Sequence, residues 1–130
     1  MEYNFLAKNG KLVTLVLEKK DFYQIKAFDN KDNQSGFCNF KISDKSCWIY
    51  KICVTNKEYL GKGVGKKMLK MVEKIAKQHN CYNIEGKFYP EGEGAERALK
   101  FYKDNGYTID KEDYQQVIFK SIFLQEDFEL

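Results

Sequence analysis

The chain has 130 residues, of which 43% are hydrophobic and 15% aromatic, so we expect residues 1–130 to form a single domain around one core. The net charge is +3, from 22 basic and 19 acidic side chains, which is too small to indicate a nucleic-acid partner. No basic segment typical of a secretory signal begins the chain, and the apolar run Leu12–Leu17 is too short to span a membrane.

Alternating apolar residues predict seven strands, and apolar residues at helical spacing predict two helices. In chain order, the predicted elements are strands at 11–18, 22–28, 37–43 and 46–54, a helix at 62–78, a strand at 82–89, a helix at 95–104, and strands at 107–110 and 115–124. Turn residues predict a turn at 29–36 and a loop at 90–94. The first helix joins two parallel strands, and the other strands are antiparallel. The predicted fold class is therefore α/β, with a mixed, mostly antiparallel sheet, a central βαβ unit and helices on its faces.

The four cysteines are not spaced as a metal site or as a redox pair, and none forms a C-x-x-C motif. They are Cys38, Cys47, Cys53 and Cys81. Three of them lie within predicted strands. We therefore expect buried free thiols in a reducing, cytoplasmic environment, and no metal.

Three glycines, Gly61, Gly63 and Gly65, lie between a predicted strand and a predicted helix. The first N–H groups of a helix have no internal partner and attract anions, and glycine lets a ligand approach the backbone closely. This pattern predicts a phosphate-binding loop. Its spacing excludes a Walker loop, because Met68 follows Lys67, and a dinucleotide fingerprint, because Lys66 replaces the required third glycine.

A second motif follows about thirty residues downstream, and with the loop it resembles the GNAT superfamily of acetyl-coenzyme A-dependent N-acetyltransferases. The loop of that family is written R/Q-x-x-G-x-G/A, and Gly63 and Gly65 match its small positions, whereas Leu60 replaces the arginine or glutamine. The second motif, N-x-x-A-x-x-F-Y-x-x-x-G-[FY], is matched by the segment 95–107 at every position except Ala95. The segment 35–42 also resembles the third strand of the family.

The resemblance implies a GNAT-like fold that binds acetyl-coenzyme A as co-substrate. Loop N–H groups would bind the pyrophosphate, backbone groups at the strand end would pair with the pantetheine arm, and lysines would compensate for Leu60. The residues predicted to bind the cofactor are Cys53, Val54, Leu60, Gly61, Lys62, Gly63, Val64, Gly65, Lys66 and Lys67.

The resemblance also implies that Tyr102 protonates the departing thiolate and is the catalytic residue. The general base stays open, because the strand at 46–54 contains neither a carboxylate nor a histidine. Tyr50 or an ordered water is one alternative, and an acceptor amine that arrives neutral is another. The weaker candidates for the base are Glu85, Glu91, Glu93 and His79.

The family has two helices between its first two strands, but here only the segment 19–21 separates the two predicted strands. We therefore expect a shortened N-terminal region, with an acceptor site that is open or is completed by a second copy in a homodimer. The predicted activity is transfer of an acetyl group to an amine, in a small molecule or a protein, by direct attack. The alternatives are a non-catalytic acyl-coenzyme A sensor or interaction module and, less favoured, a nucleic-acid module using the lysines of the first helix.

Overall fold

The observed elements follow the predicted order. The structure is a computed structural model that describes residues 1–88, 94–112 and 115–122. The strands are β1 (Glu2–Leu6), β2 (Leu12–Lys19), β3 (Tyr23–Phe28), β4 (Gln34–Ser43), β5 (Ser46–Val54), β6 (Asn83–Phe88), β7 (Thr108–Glu112) and β8 (Gln115–Ser121). The helices are α1 (Val64–Gln78) and α2 (Gly94–Asp104), with a short 3-10 helix at Lys57–Tyr59. Residues 90–93 of the predicted loop lie outside the described residues.

β1 and the 3-10 helix are absent from the predicted elements. β1 pairs antiparallel with β2, from Glu2 opposite Val16 to Leu6 opposite Leu12. Phe5 is the residue of β1 that is partly buried, and the others are exposed. The alternation that marks a half-buried strand is therefore weak in this segment, and pairing with β2 defines the strand.

β2, β3 and β4 form consecutive antiparallel hairpins. Because side chains alternate between the two faces of a strand, each strand contributes every second residue to the core. These fully buried residues are Val13 and Leu15, Ile25 and Ala27, and Cys38 and Phe40. β2 ends at Lys19 and β3 begins at Tyr23, so the prediction that no helix separates these two strands is confirmed.

β4 begins three residues before its predicted start at 37. The Asp29 carboxylate accepts hydrogen bonds from the Lys31 and Asn33 N–H groups, both at 2.9 Å, and the Asp29 N–H donates to the Asn33 carbonyl. These bonds close the turn within five residues, because an aspartate side chain can satisfy the backbone two residues on. The chain is consequently extended again from Gln34.

β5 and β6 are parallel, with Ser46 opposite Asn83 and Ile49 opposite Gly86, as the βαβ prediction requires. β6 pairs antiparallel with β8, and β8 with β7. The strand order is β1-β2-β3-β4-β5-β6-β8-β7. The mixed, mostly antiparallel sheet of the predicted fold class is confirmed.

The chain divides into two compact units. Residues 1–41 and 50–74 form the first, and residues 42–49 and 75–130 form the second. Buried residues of the first unit include Tyr59, Val64, Met68, Leu69 and Val72. Those of the second include Ile49, Ile84, Tyr102, Tyr107 and Ile118. Neither α1 nor α2, the helices in the described part of the chain, is long and apolar enough to cross a membrane.

The four cysteines are free, and Cys38, Cys47 and Cys81 are buried, as predicted. Burial raises the pKa of the Cys47 thiol to about 12, and the neighbouring Cys81 adds to this rise. Burial also raises the pKa of Cys81. Since the thiolate is the nucleophilic form, burial and the raised pKa lower the reactivity of these two thiols. No group of three or more metal-binding side chains occurs among the described residues.

Replacing Gly86 with alanine should destabilise the fold. A Cβ at Gly86 would lie 2.7 Å from the Ile49 carbonyl oxygen of the adjacent strand, so one backbone must move. We expect a loss of about 1–3 kcal/mol in the free energy of unfolding, measured by denaturant titration. Ser43→Ala, at an exposed strand end, is the control and should change stability by less than about 0.5 kcal/mol. Equal stability of the two variants would contradict the close contact.

Pulse alkylation should label the cysteines in the order of their exposure. At pH 8, we expect Cys53, which is partly exposed, to be modified in the folded protein, and Cys47 only after denaturant is added. Mass spectrometry of the digested protein identifies the labelled position. Labelling of Cys47 in the folded protein at the rate of Cys53 would show that its thiol is neither buried nor protonated.

Candidate functional site

The segment that follows β5 is anchored by a buried tyrosine. The Asn56 side chain caps the 3-10 helix by accepting a hydrogen bond from the Glu58 N–H at 3.0 Å. Tyr59, at the end of this turn, is 1% exposed. Burial raises the pKa of its hydroxyl, with smaller contributions from Asp29 and Glu58 that Lys11 opposes. This anchor fixes where the glycine loop begins.

Gly61 and Gly63 adopt left-handed backbone conformations, with φ of +69° and +91°. A Cβ at either position would meet no atom within 4 Å, so the requirement for glycine is conformational and not steric. The first backbone hydrogen bond of α1 runs from the Lys67 N–H to the Gly63 carbonyl at 3.1 Å. α1 consequently begins at Val64, two residues after its predicted start at 62.

The first turn of α1 presents N–H groups without an internal partner. Val64, Gly65 and Lys66 precede the first helical donor, and no described side chain or carbonyl accepts from them. Gly63, immediately before the helix, has no side chain that could cap it, and the first turn contains no acidic residue. An anion at this position would meet several N–H donors and the positive end of the helix dipole.

Two of the predicted loop donors are already used within the loop. The Leu60 N–H donates to the Lys57 carbonyl at 3.2 Å, and the Lys62 N–H donates to the Tyr59 carbonyl at 3.4 Å. The Lys62 carbonyl accepts from the Lys8 N–H at 3.0 Å, which ties the β1–β2 turn to the loop. The donors that remain are the N–H groups of Gly61, Gly63, Val64, Gly65 and Lys66.

The loop lysines differ in their surroundings. Lys66 is exposed and Lys62 is partly exposed. The Lys67 ammonium lies over two aromatic rings of β1, 5.8 Å from the Tyr3 centroid and 5.7 Å from the Phe5 centroid. Such contacts hold a cation near the ring face. The alternation of Tyr3 and Phe5 was visible in the sequence, but their contact with Lys67 arises only from the position of β1.

The end of β5 lies beside β4 in the same unit as the loop. The Thr55 N–H donates to the Ser35 carbonyl at 2.8 Å. Backbone hydrogen-bonding groups point to opposite sides of a strand at successive residues. The N–H and C=O groups of Val54 therefore point away from β4, whereas those of Cys53 lie on the β4 side. Of the two residues predicted to pair with the cofactor, Val54 has the more suitable orientation.

Tyr102 lies in the second unit, on α2, and is 6% exposed. Its ring contacts Phe101 and Tyr107 edge-on, with centroid distances of 5.4 and 5.6 Å. The Tyr107 N–H donates to the Tyr102 carbonyl at 3.0 Å, just after the helix ends. Both rings and the backbone therefore restrict the orientation of the Tyr102 side chain.

The candidates for the general base are dispersed. Glu85 accepts a hydrogen bond from the Ser46 hydroxyl at 3.1 Å and is partly buried. His79 is exposed just after α1, and Tyr50 is 53% exposed on β5. Glu91 and Glu93 lie outside the described residues.

A shallow depression of about 360 Å³ lies in the first unit, and sequence analysis did not predict it. Its lining residues come from the β2–β3 turn, β4 and β5, and they are Asp21, Phe22, Asn39, Lys41 and Tyr50. Among these, Tyr50 is one of the predicted candidates for the general base. The others gave no signal, because they lie far apart in the sequence and belong to common surface residue types.

The comparison with protein families identifies one domain. Residues 21–109 match the family model described as "Acetyltransferase (GNAT) domain", and this range covers more than half of the chain. No relative is found among curated protein sequences.

Solved structures share the fold at low sequence identity. The GNAT domain of S. lividans PAT has a TM-score of 0.77 at 11% identity, covering 92% of this chain and 96% of that one. The ribosomal-protein-S18-alanine N-acetyltransferase of Escherichia coli has a TM-score of 0.69 at 11% identity. The match covers 87% of this chain and 77% of that one. The PaiA N-acetyltransferase of Thermoplasma acidophilum, in complex with coenzyme A, has a TM-score of 0.66 at 22% identity. The match covers 75% of this chain and 59% of that one. With the family match over residues 21–109, the chain belongs to the GNAT acetyltransferase family.

Proposed function

We propose that this protein transfers an acetyl group from acetyl-coenzyme A to an amine by direct attack. The observation that carries the proposal is the start of α1, where two left-handed glycines precede successive N–H groups that have no partner in the described part of the chain. In a chain of the GNAT acetyltransferase family, these donors suit the pyrophosphate of coenzyme A.

The pyrophosphate would bind the N–H groups of Gly61, Gly63, Gly65 and Lys66, which belong to exposed or partly exposed residues, whereas Val64 is fully buried. Binding through the backbone explains how the site tolerates Leu60, because an amide donor does not depend on its side chain. The missing guanidinium or amide side chain removes about 1–2 kcal/mol of binding free energy. Exposed Lys66 and partly exposed Lys62 would restore part of this binding free energy through their charges. Lys67 would contribute less, because its ammonium also contacts the rings of β1.

The pantetheine arm would pair with the end of β5. An extended ligand can add to a strand through backbone hydrogen bonds. The Val54 groups that point away from β4 are the suitable partners for its amides. Cys53 would then contribute packing more than hydrogen bonds.

The chemical step needs no covalent enzyme intermediate. The neutral amine nitrogen attacks the thioester carbonyl, a C–N bond forms, and the C–S bond breaks. The Tyr102 hydroxyl gives its proton to the departing thiolate, and the proton lost by the amine returns through water to the tyrosine. Burial raises the pKa of the Cys47 and Cys81 thiols, which disfavours either of them as a covalent nucleophile.

The base is best assigned to solvent or to an amine that arrives neutral. Glu85 is held by Ser46, and His79 lies at the exposed end of α1. Tyr50, on β5, is 53% exposed and lines the depression. A water molecule held near Tyr50 would suffice to accept the proton.

Replacing Gly63 with alanine should weaken acetyl-coenzyme A binding about 10-fold to 100-fold, as expected for the loss of one charge-assisted hydrogen bond. Gly10→Ala is the matched control, because Gly10 has a φ of +80° and open space around it, like Gly63, but lies in the β1–β2 turn. Isothermal titration calorimetry measures both affinities. Equal affinities would show that the loop conformation at Gly63 does not form the cofactor site.

Tyr102→Phe should lower kcat by roughly 10²–10⁴-fold and leave the acetyl-coenzyme A affinity unchanged, because a positioned acid acts in the transition state. Thiol release with an amine panel measures turnover. Tyr107→Phe is the matched control, since it removes a hydroxyl from the neighbouring buried ring. Full turnover by Tyr102→Phe would exclude this acid. Binding of acetyl-coenzyme A by the wild-type protein without transfer to any amine would instead favour a non-catalytic sensor.

A further inference from the structure

The depression over β4 and β5 has the size of a small-molecule subsite. Its volume of about 360 Å³ lies in the range of ligand pockets. Tyr50, at its rim, precedes Cys53 by three residues on β5, which corresponds to about 10 Å of extended strand. If the pantetheine arm ends along β5, as proposed above, an acceptor in this depression would lie within reach of the thioester.

Two opposite charges line the depression without neutralising each other. Neither the Asp21 carboxylate nor the Lys41 ammonium forms an ion pair with another residue in the described part of the chain. A ligand group with a single charge would be attracted by one of them and repelled by the other. A group that carries both an ammonium and a carboxylate complements both.

The remaining lining residues suit the same kind of ligand. Asn39 uses its Oδ1 to accept a hydrogen bond from Gln24 at 2.8 Å, which leaves its side-chain NH₂ group as a donor toward an anion. Phe22 and Tyr50 are 41% and 53% exposed and supply apolar surface for an aliphatic chain. Aromatic faces also attract an ammonium group.

We infer that the acceptor is a free diamino acid of the lysine or ornithine type, acetylated on its side-chain amine. Asp21 binds the α-ammonium, Lys41 and Asn39 bind the α-carboxylate, and the apolar chain lies against Phe22 and Tyr50. The side-chain amine then faces the thioester and attacks it as described above. This inference rests on the proposed function and assigns its substrate class.

A matched acceptor series tests the inference on the wild-type protein. L-lysinamide lacks the carboxylate charge, Nα-acetyl-L-lysine lacks the α-ammonium, and cadaverine lacks the carboxylate altogether. Relative to L-lysine, we expect kcat/KM to fall about 5-fold to 20-fold for each charge removed. This loss is larger than that of a solvent-screened surface ion pair and smaller than that of a strong charge-assisted hydrogen bond. Mass spectrometry of the product should show acetylation of the side-chain amine.

Two variants should remove these preferences separately. In Lys41→Gln, the ratio of kcat/KM for lysine over lysinamide should fall toward one, whereas the preference over Nα-acetyl-lysine persists. In Asp21→Asn, the ratio of kcat/KM for lysine over Nα-acetyl-lysine should fall toward one, whereas the preference over lysinamide persists. Lys20→Gln is the control, since Lys20 is an exposed lysine beside Asp21 that does not line the depression. Because each ratio is measured within one variant, partial unfolding does not alter it, and acetyl-coenzyme A affinity should stay unchanged.

The outcomes separate the inference from the proposed function. Transfer to amines without a preference for lysine, or with preferences that both variants retain, would overturn the diamino-acid inference and leave acetyl transfer intact. Acetyl-coenzyme A binding without transfer to any member of the series or to other amines would overturn the proposed function, and this inference with it.

Discussion

The candidate site depends on one backbone constraint, which is that the first N–H groups of α1 have no hydrogen-bond partner among the residues that the structure describes. Three features maintain it. Tyr59 is buried and anchors the chain before the loop, Gly61 and Gly63 adopt left-handed conformations, and the Lys62 carbonyl is occupied by the Lys8 N–H. The loop is therefore held open by contacts that a ligand need not replace. Preorganised donors of this kind bind an anion without a further ordering cost.

This constraint explains how the chain can belong to its family while carrying Leu60. A side chain that contacts phosphate adds one or two hydrogen bonds, whereas the loop offers several backbone donors. Their direction is set by φ at Gly61 and Gly63 and by the helix axis, neither of which involves the side chain of residue 60. In the proposed site, affinity for the pyrophosphate would be distributed over the backbone, and the charge of nearby lysines would adjust it.

The described N-terminal region consists of strands, with no helix between β2 and β3. β1 adds an edge strand, and its turn contacts the glycine loop through Lys8. The short β2–β3 turn leaves Phe22 and Tyr50 exposed beside the polar residues of the depression. An open surface with separated charges suits recognition of a small ligand by its ends. If the acceptor binds in this depression, as we infer, its selectivity would rest on a few side chains and not on an enclosing wall.

The sequence alone determined the strands and helices with strong periodicity, the parallel pair around α1, the free cysteines and the location of the glycine loop. These follow from local rules, since alternation, helical spacing and glycine conformations act over a few neighbouring residues. The start of α1 differed by two residues, because Gly63 continues the chain toward the helix but has a φ that a helix excludes. Only the tertiary structure decided the pairing of the short strand β1, the position of Lys67 over Tyr3 and Phe5, and the grouping of Asp21 with Lys41. Each of these contacts depends on strand register and side-chain direction, which no local pattern encodes, and the contact of Lys67 with β1 also joins residues distant in sequence.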